Sequence, residues 1–317
     1  MKAAFLDQKT FSDTIDFSDI TKHVDLLSTY QLTSPEQVIQ RCQGHEIVIT
    51  NKVELDEAVL TALPELKLIC VAATGTNNID LSAAKRLGIT VANAAGYAGV
   101  SVAQYIFSQL LHCVQHIEVH NKNTERGLWQ ASDTFCVFGN PINELAGKTL
   151  GIVGYGHIAK KVAKIAEAFD MNILISEHEG AGAIRLGRTN FHDVLRQSDV
   201  VSLHCPLTDT TKHLINEETL SLMKSDAILI NTARGSIIDS YALKNALLKG
   251  AIGCAILDVL DQEPPSPDHP LLSSLLPNLK VTAHIAWASQ QAQQRLIRII
   301  GDNIKAFLND EKKNLVV

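Results

Sequence analysis

The chain has 317 residues, of which 46% are hydrophobic and 20% are charged, and its formal net charge is −6. This length exceeds that of a typical single domain, so two domains, each with its own core, are expected. The sequence contains no basic tract, which argues against a nucleic-acid partner. It also contains no apolar run long enough to cross a membrane, so we expect a soluble protein that acts on small molecules.

The N-terminus and the cysteines indicate the compartment. Residues 1–8 read M-K-A-A-F-L-D-Q and lack the long apolar segment of a signal peptide. The six cysteines, at positions 42, 70, 113, 136, 205 and 254, show no close pairing in the sequence. We therefore expect a reducing, cytoplasmic environment.

The first hundred residues alternate short apolar runs with helical patterns. Apolar runs at 3–6, 47–50 and 68–72 predict strands, and the spacing of apolar residues at 35–42 and 57–63 predicts helices. This alternation is typical of an α/β domain.

A long helix and a loop follow this first series. In residues 101–120 the apolar side chains, among them Val102, Ile106 and Leu110, recur at helical spacing and predict one connecting helix. Residues 127–141 form a loop in which three aromatic residues stand among polar ones, and we expect this loop to pack on a neighbour.

Three histidines of the connecting helix are spaced every four residues. His112, His116 and His120 would therefore lie along one side of it, an arrangement that could suggest a metal. We interpret them as a polar face at a subunit contact and predict no metal.

A second series of strands begins at residue 150. Further apolar runs lie at 173–175, 200–203, 227–231, 253–258 and 279–282. Six such strands fit one doubly wound parallel sheet. The tail, residues 289–307, is again helical in pattern, and we expect it to return to the first domain.

The segment 150–159, L-G-I-V-G-Y-G-H-I-A, joins the first of these strands to a helix. Gly154 would allow a tight turn and Gly156 would let the backbone approach a pyrophosphate at the helix N-terminus, although Ala159 stands where a third glycine is commoner. Glu177 lies 21 residues after Gly156, where a carboxylate can bind the ribose 2′-hydroxyl and repel a 2′-phosphate. The pattern predicts NAD rather than NADP, against the alternative of a solvated glutamate at a strand end.

Candidate catalytic residues follow three successive strands. Arg234, Glu263 and His284 come after the runs at 227–231, 253–258 and 279–282, respectively. Such a set suits hydride transfer to a 2-keto acid: the arginine holds the carboxylate, the histidine donates a proton to the carbonyl oxygen, and the glutamate orients the histidine and stabilises its charged form. The alternatives are a structural ion pair for the arginine and a core position for the histidine.

The chain resembles the D-isomer-specific 2-hydroxyacid dehydrogenase family. The resemblance is carried by N-T-A-R at 231–234, D-V-L-D-Q-E-P at 258–264 and H-I-A at 284–286, and by segments at 73–80 and 92–104. It implies an α/β fold in which an NAD-binding Rossmann domain, residues 101–284, is inserted in a flavodoxin-like substrate domain, residues 1–100 and 285–317. It also implies a homodimer. Asp170 departs from the family pattern, which commonly has glycine there.

The resemblance also implies roles for individual residues. The implied substrate contacts are Thr74, Gly75, Arg234 and Trp287. The implied cofactor contacts, beside the two glycines and Glu177, are Tyr155, His157, Ile158, Cys205, Pro206, Thr211, Thr232, Ala233 and Asp258. Arg234, Glu263 and His284 are the implied catalytic residues.

Residues 135–156 resemble the glycerate dehydrogenase, or hydroxypyruvate reductase, branch of the family. The resemblance therefore implies reduction of hydroxypyruvate or glyoxylate, to D-glycerate or glycolate, by NADH. Two alternatives remain at this stage. One is a related enzyme for 3-phosphohydroxypyruvate or pyruvate, and the other is a non-catalytic binding protein that senses NAD(H), because a fold alone does not fix a function.

Overall fold

A computed structural model describes residues 1–317 and divides the chain into two compact units. The first unit contains Met1–Ala98 and Trp287–Val317, and the second contains Gly99–Ala286. No helix in either unit combines the length and apolar character needed to cross a bilayer.

The first unit is built on a five-stranded parallel sheet. Its strands are β1 (Lys2–Phe5), β2 (Leu26–Thr29), β3 (Ile47–Thr50), β4 (Leu68–Val71) and β5 (Thr90–Ala92). Its helices are α1 (Ser18–Thr21), α2 (Val38–Cys42), α3 (Glu57–Thr61), α4 (Leu81–Arg86) and, at the C-terminus, α11 (Gln290–Leu308). The strand order is β2-β1-β3-β4-β5, which is the flavodoxin-like order and confirms that part of the predicted fold.

Both faces of this first sheet are covered. Phe5 points to a core that includes Leu296 and Ile300 of α11, whereas Ala4 and Leu6 point to a second core on the opposite face. Strands buried on both faces read as continuous apolar runs, which is why β1, β3 and β4 could be predicted. The C-terminal helix packs within the first unit, as expected.

The second unit is built on a six-stranded parallel sheet. Its strands are β6 (Thr149–Val153), β7 (Asn172–Ile175), β8 (Val200–Leu203), β9 (Ile228–Asn231), β10 (Cys254–Leu257) and β11 (Leu279–Val281). Its helices are α5 (Gly99–Gln115), α6 (Ile117–Glu125), α7 (His157–Ala168), α8 (Phe191–Gln197), α9 (Glu217–Ser221) and α10 (Ser240–Lys249). All six strands were predicted.

The order of the second sheet is β11-β10-β9-β8-β6-β7. A single parallel bridge between Ser176 and Thr189 extends the sheet beyond β7. We number the strands of this sheet in chain order, with β6 as 1, β7 as 2, the bridge as 3 and β8 to β11 as 4 to 7. The spatial order is then 3-2-1-4-5-6-7, which is the order of a dinucleotide-binding sheet with one strand added. The Rossmann part of the predicted fold is confirmed.

The connecting helix differs from the prediction because it breaks at His116. This residue adopts a left-handed conformation with φ of 49°, and it separates α5 from α6. The helical spacing of apolar residues continues to Ile117, but 51% of the Ile117 surface is exposed and α6 buries no residue, so no core holds the two segments in line. The three histidines therefore do not share one continuous helix face, and no group of three or more ligating side chains is found there.

Asp170, the departure from the family pattern, occupies the turn between α7 and β7. Its φ is 54°, in the left-handed region that glycine adopts without cost. Aspartate is among the few other residues that enter this region readily. The structure thus explains both why glycine is commoner at this turn and why aspartate replaces it.

Candidate active site

The predicted site residues of the second unit lie at one edge of its sheet. Gly154 follows β6, Glu177 follows β7, Cys205 follows β8, Arg234 follows β9 and His284 follows β11. Because all the strands are parallel, their carboxyl ends meet at this edge, where doubly wound sheets bind their ligands.

The loop after β6 has the geometry of a phosphate-binding turn. Gly154 has φ of 88°, and a Cβ there would lie 2.6 Å from the backbone nitrogen of Cys205, so only glycine fits between the loops after β6 and β8. Gly156 caps α7 without any side-chain hydrogen bond, and no atom lies within 4 Å of where its Cβ would be. The backbone at the start of α7 thus has open space beside it, which fits the approach of a dinucleotide pyrophosphate.

Glu177 is buried and its carboxylate is surrounded by donors. Its Oε1 accepts a hydrogen bond from the amide of His178 at 2.9 Å, and its Oε2 accepts from the amide and Nε of Arg185 at 3.1 and 2.7 Å. The Arg185 Nη2 also donates to Oε1. The Arg185 side chain, helped by the His178 amide, holds the pKa of Glu177 far below its ordinary value. The alternative of a solvated glutamate is therefore wrong.

A cavity of about 150 Å³ opens between the first glycine loop and Glu177. Its lining includes Tyr155, Arg188, Cys205 and Thr211. The Arg188 guanidinium lies over the Tyr155 ring, 5.5 Å from its centroid, and donates to the carbonyl of Ser176 at 3.0 Å. The walls of this cavity combine apolar surface, an aromatic ring and fixed charges, as nucleotide pockets do.

Residues at the ends of β8 and β9 also fit a bound nucleotide. Burial raises the pKa of the Cys205 thiol, which keeps it neutral, and Thr211 Oγ1 donates to the Pro206 carbonyl at 2.7 Å and so fixes the loop after β8. Thr232 Oγ1 is buried and has no hydrogen-bond partner in the protein. Because buried hydroxyls are normally satisfied, this atom indicates a place for a polar group of a ligand.

The loop that carries Arg234 is fixed by the buried side chain of Asn231. The Asn231 Oδ1 accepts from the amide of Ala233 at 2.9 Å, and its Nδ2 donates to the carbonyl of Arg234 at 2.9 Å. A Cβ on Gly235 would lie 1.8 Å from the carbonyl carbon of Leu260, so the loop after β9 packs directly on the loop after β10. Arg234 itself is exposed, and its Nη1 donates only to the Ala233 carbonyl.

His284 and Glu263 form a pair. The His284 Nδ1 lies 2.7 Å from Glu263 Oε2, and Glu263 Oε1 accepts from the amide of Leu260 at 3.0 Å. The pair is accessible, since 29% of the histidine side chain and 36% of the glutamate side chain are exposed. His284 adopts φ of 55°, in the left-handed region, which histidine enters more readily than most non-glycine residues do.

Asp258 supports the segment that contains His284. Its Oδ1 accepts from Thr282 Oγ1 at 2.6 Å and from the Ile285 amide at 2.9 Å, and its Oδ2 accepts from the Ala286 amide at 2.8 Å. Burial raises the pKa of this carboxyl group despite these donors. Asp258 was predicted as a cofactor contact, and the contacts it makes within the protein hold the histidine segment in its left-handed turn.

The two other acids that follow β10, Asp261 and Glu263, have different partners in the structure. Asp261 accepts from Ser240 Oγ at 2.5 Å and pairs with the buried His269 at 2.9 Å, so it fixes the proline-rich loop. Glu263 contacts His284 instead. Of these two acids, only Glu263 touches the candidate catalytic histidine.

Three predicted substrate contacts belong to the first unit. Thr74 and Gly75 follow β4, and Thr74 Oγ1 donates to the carbonyl of Ala94 at 2.8 Å, which ties this loop to the segment after β5. Trp287 packs edge-on against Phe11 and Tyr97, with 6.0 Å between ring centroids in each pair. Their roles toward substrate stay predictions.

The sequence analysis missed two arginines near Glu177. Arg185 pairs with the acid and Arg188 lies over Tyr155. Both arginines lie within twelve residues after Glu177 in the sequence, and this proximity could have identified them as its neighbours. The sequence analysis also missed the contacts by which Asn231 and Thr282 fix the segments that contain Arg234 and His284.

Comparisons with known proteins agree with this architecture. Residues 107–286 match the family model described as the D-isomer specific 2-hydroxyacid dehydrogenase, NAD binding domain. The chain is 42% identical to the glycerate dehydrogenase of Methylorubrum extorquens, over 99% of this chain and 98% of that one. It is 36% identical to the hydroxypyruvate reductase of Blautia hydrogenotrophica, over 90% and 89%.

A solved structure gives the same result. The D-lactate dehydrogenase of Aquifex aeolicus, complexed with NAD and lactic acid, superposes with a TM-score of 0.81 at 29% identity and covers 100% of this chain and 99% of that one. The chain therefore belongs to the D-isomer specific 2-hydroxyacid dehydrogenase family, whose members are NAD-dependent oxidoreductases.

Proposed function

We propose that this protein reduces hydroxypyruvate and glyoxylate to D-glycerate and glycolate with NADH. The observation that carries the proposal is the pair formed by His284 and Glu263, 2.7 Å apart, at the sheet edge where Arg234 also lies. This edge offers a fixed cation, a proton donor and an orienting carboxylate, which together serve reduction of a 2-keto acid.

Arg234 binds the substrate carboxylate. Its guanidinium is exposed and donates within the protein only to a neighbouring carbonyl, so most of its donors are available. A guanidinium can hold a carboxylate through two parallel hydrogen bonds and keeps its charge at any working pH. The C2 carbonyl is thereby placed at a fixed distance from the rest of the site.

His284 supplies the proton. Because Nδ1 faces Glu263, the opposite ring nitrogen, Nε2, donates to the oxygen on C2 as negative charge develops there. Glu263 fixes the orientation of the ring and stabilises the imidazolium before the transfer. In the oxidative direction the same nitrogen accepts the proton from the hydroxyl group.

A bound nicotinamide cofactor would supply the hydride that C2 receives. The residues proposed to hold it are Gly154, Tyr155, Gly156, His157, Ile158, Glu177, Cys205, Pro206, Thr211, Thr232, Ala233 and Asp258. Among them, the open glycine cradle and the unsatisfied Thr232 hydroxyl give the strongest support. Thr74, Gly75 and Trp287 are proposed as further substrate contacts by family resemblance.

The proposed substrates follow from the relatives. Proteins called glycerate dehydrogenase and hydroxypyruvate reductase match nearly the whole chain. We further propose a cytoplasmic homodimer, supported by exposed aromatic side chains at Phe135 and Phe138 in the loop that follows α6. Light scattering of the purified protein would give the mass of two chains, and a single-chain mass would refute the dimer.

The substrate test follows the loss of NADH absorbance with equal concentrations of hydroxypyruvate, glyoxylate, pyruvate and 3-phosphohydroxypyruvate. We expect hydroxypyruvate and glyoxylate to be reduced fastest. Arg234→Ala should lower kcat/KM at least about 100-fold, because it removes two charge-assisted hydrogen bonds worth about 1.5–3 kcal/mol each. The matched control is Arg86→Ala, which removes a surface arginine paired with Glu57 in the first unit.

Faster turnover of pyruvate or 3-phosphohydroxypyruvate would keep the reaction and contradict the proposed substrates. Tight NADH binding without turnover of any of the four acids would contradict the enzyme itself and favour a sensing protein. An Arg234→Ala variant as active as Arg86→Ala would refute the role of Arg234.

A further inference from the structure

The surroundings of Glu177 differ from those of an acid that only binds a ribose hydroxyl. We propose that the ribose end of this nucleotide pocket accepts a 2′-phosphate as well as a 2′-hydroxyl, so that the protein also binds NADPH. In this proposal, Arg185 is the residue that makes binding of the 2′-phosphate possible. The inference rests on the proposed function in that a nicotinamide dinucleotide occupies the pocket. It concerns residues that the reaction itself does not use.

The carboxylate of Glu177 is already saturated. Four donors reach its two oxygens: the amides of His178 and Arg185, and Nε and Nη2 of Arg185. A carboxylate oxygen has about two lone-pair sites, so a ribose hydroxyl would have to replace one of these donors. The acid therefore cannot select NAD in the simple way that its position in the sequence predicts.

Charge around the pocket is balanced. Two acids, Glu177 and Glu179, and two arginines, Arg185 and Arg188, line it. Glu177 pairs with Arg185, and Glu179 lies 3.8 Å from His192, which does not line the pocket. The other titratable groups in the lining are Tyr155, His178 and Cys205. The repulsion that an isolated carboxylate would exert on a 2′-phosphate is thus offset by adjacent guanidinium groups.

Arg185 can bind a phosphate without leaving Glu177. A guanidinium has about five N–H donors, and the pair with Glu177 engages Nε and Nη2. Nη1 donates to neither oxygen of the Glu177 carboxylate. The Arg185 side chain is 57% exposed, whereas that of Glu177 is 3% exposed, so the arginine is the partner that reaches solvent and a ligand.

Glu177 also keeps partners if the arginine turns toward a ligand. Backbone amides of His178 and Arg185 donate to it at 2.9 and 3.1 Å independently of the guanidinium. Arg188 offers a second cation at the same rim, held by Tyr155 and the Ser176 carbonyl. The two arginines together provide the bidentate donors that recognise a phosphate monoester.

The experiment is equilibrium binding to the full-length protein by calorimetry, without substrate. The titrants are NADH, NADPH, 5′-AMP and adenosine 2′,5′-bisphosphate; the last two differ only at the ribose 2′ position. For the wild type, we expect the affinities for NADH and NADPH to differ by less than about tenfold, and likewise those for 5′-AMP and adenosine 2′,5′-bisphosphate. In Arg185→Ala, Glu177 is uncompensated, so the affinity for NADPH and the bisphosphate should fall at least about 30-fold, while NADH and 5′-AMP change less than about threefold.

Two further variants sharpen the test. Arg188→Ala should weaken the binding only of NADPH and adenosine 2′,5′-bisphosphate, the two ligands with a 2′-phosphate, and by less than Arg185→Ala does. Arg196→Ala is the matched control, since it removes an exposed arginine that pairs with Asp193 on α8 and does not line the pocket; it should change none of the four affinities. Thermal unfolding of each variant checks that it is folded.

Wild-type affinity for NADPH more than about 100-fold below that for NADH would overturn the proposal, as would an Arg185→Ala variant with an unchanged affinity ratio. The outcome is separable from the proposed function. If all four keto acids fail as substrates but both dinucleotides bind as expected, the inference on Arg185 holds and the proposed reaction falls. If the acids are reduced but NADPH does not bind, the proposed reaction holds and the inference on Arg185 is refuted.

Discussion

Two glutamates at the same sheet edge have opposite environments. Glu177 is buried, and four donors fix its charge. Glu263 is partly exposed and faces His284, the histidine proposed to gain and lose a proton. An acid that only shapes a binding pocket can be saturated, whereas an acid that serves proton transfer must leave its partner free to change charge. The difference in burial therefore follows the difference in role.

The largest effect in this comparison should come from the histidine that Glu263 orients. His284→Ala removes the proton donor, and we expect kcat for reduction to fall about 10²–10⁴-fold, the usual contribution of a positioned acid. NADH affinity, measured by calorimetry, should stay within about threefold of wild type, because His284 does not line the cavity beside Glu177. A variant with near-normal kcat would exclude His284 as the acid.

Substitution of the two glutamates should change different quantities: kcat for Glu263 and cofactor affinity for Glu177. Glu263→Gln replaces a charge-assisted hydrogen bond worth about 1.5–3 kcal/mol, so kcat should fall about 10- to 100-fold with unchanged NADH binding. Glu177→Gln, used as the comparison, should alter the affinities for NADH and NADPH and leave kcat at saturating cofactor nearly unchanged. Equal effects of both variants on kcat would contradict the separation of roles.

The last prediction concerns stability and Asp258, whose carboxylate holds the segment that contains His284. In Asp258→Asn, the side-chain NH₂ group would face the Ile285 and Ala286 amides or the Thr282 hydroxyl, which are themselves donors. This loss of a hydrogen bond should lower the free energy of unfolding by about 1–3 kcal/mol. Urea denaturation measures the change. Burial raises the pKa of Asp258, so the folded state binds the proton more tightly than the unfolded state.

The sign of the pH dependence follows from that difference. The stability of wild type relative to Asp258→Asn should increase as pH falls from neutral through the raised pKa toward the ordinary value of 3.8, because the folded protein takes up the proton first. A stability difference that stays constant over this range would show that Asp258 does not titrate in the folded protein.

Much of the fold could be predicted because its strands are buried on both faces and read as apolar runs. The strands that were missed, β2 and β5, are edge strands of the first sheet, and β5 has three residues. Apolar spacing alone could not reveal the break at His116, because the pattern does not show whether a core covers Ile117.

The candidate site was predictable to a different degree at its two ends. Arg234, Glu263 and His284 each follow a strand, and parallel strands bring such positions to one edge whatever the loops do. The pairing of Glu177 with Arg185 depends instead on how residues 178–188 return to the bridge at Thr189. Loop geometry of this kind leaves no periodic signal in a sequence.

The measurement that tests the central claim most directly is kcat/KM against pH in both directions, hydroxypyruvate with NADH and D-glycerate with NAD. If His284 carries the proton, reduction should decline as pH rises and oxidation should increase over the same interval, since one direction needs the charged ring and the other the neutral ring. In Glu263→Gln the rates should fall in both directions, because the ring has lost the carboxylate that orients it. Profiles that change in the same sense in both directions, or that do not respond to Glu263→Gln, would contradict the account.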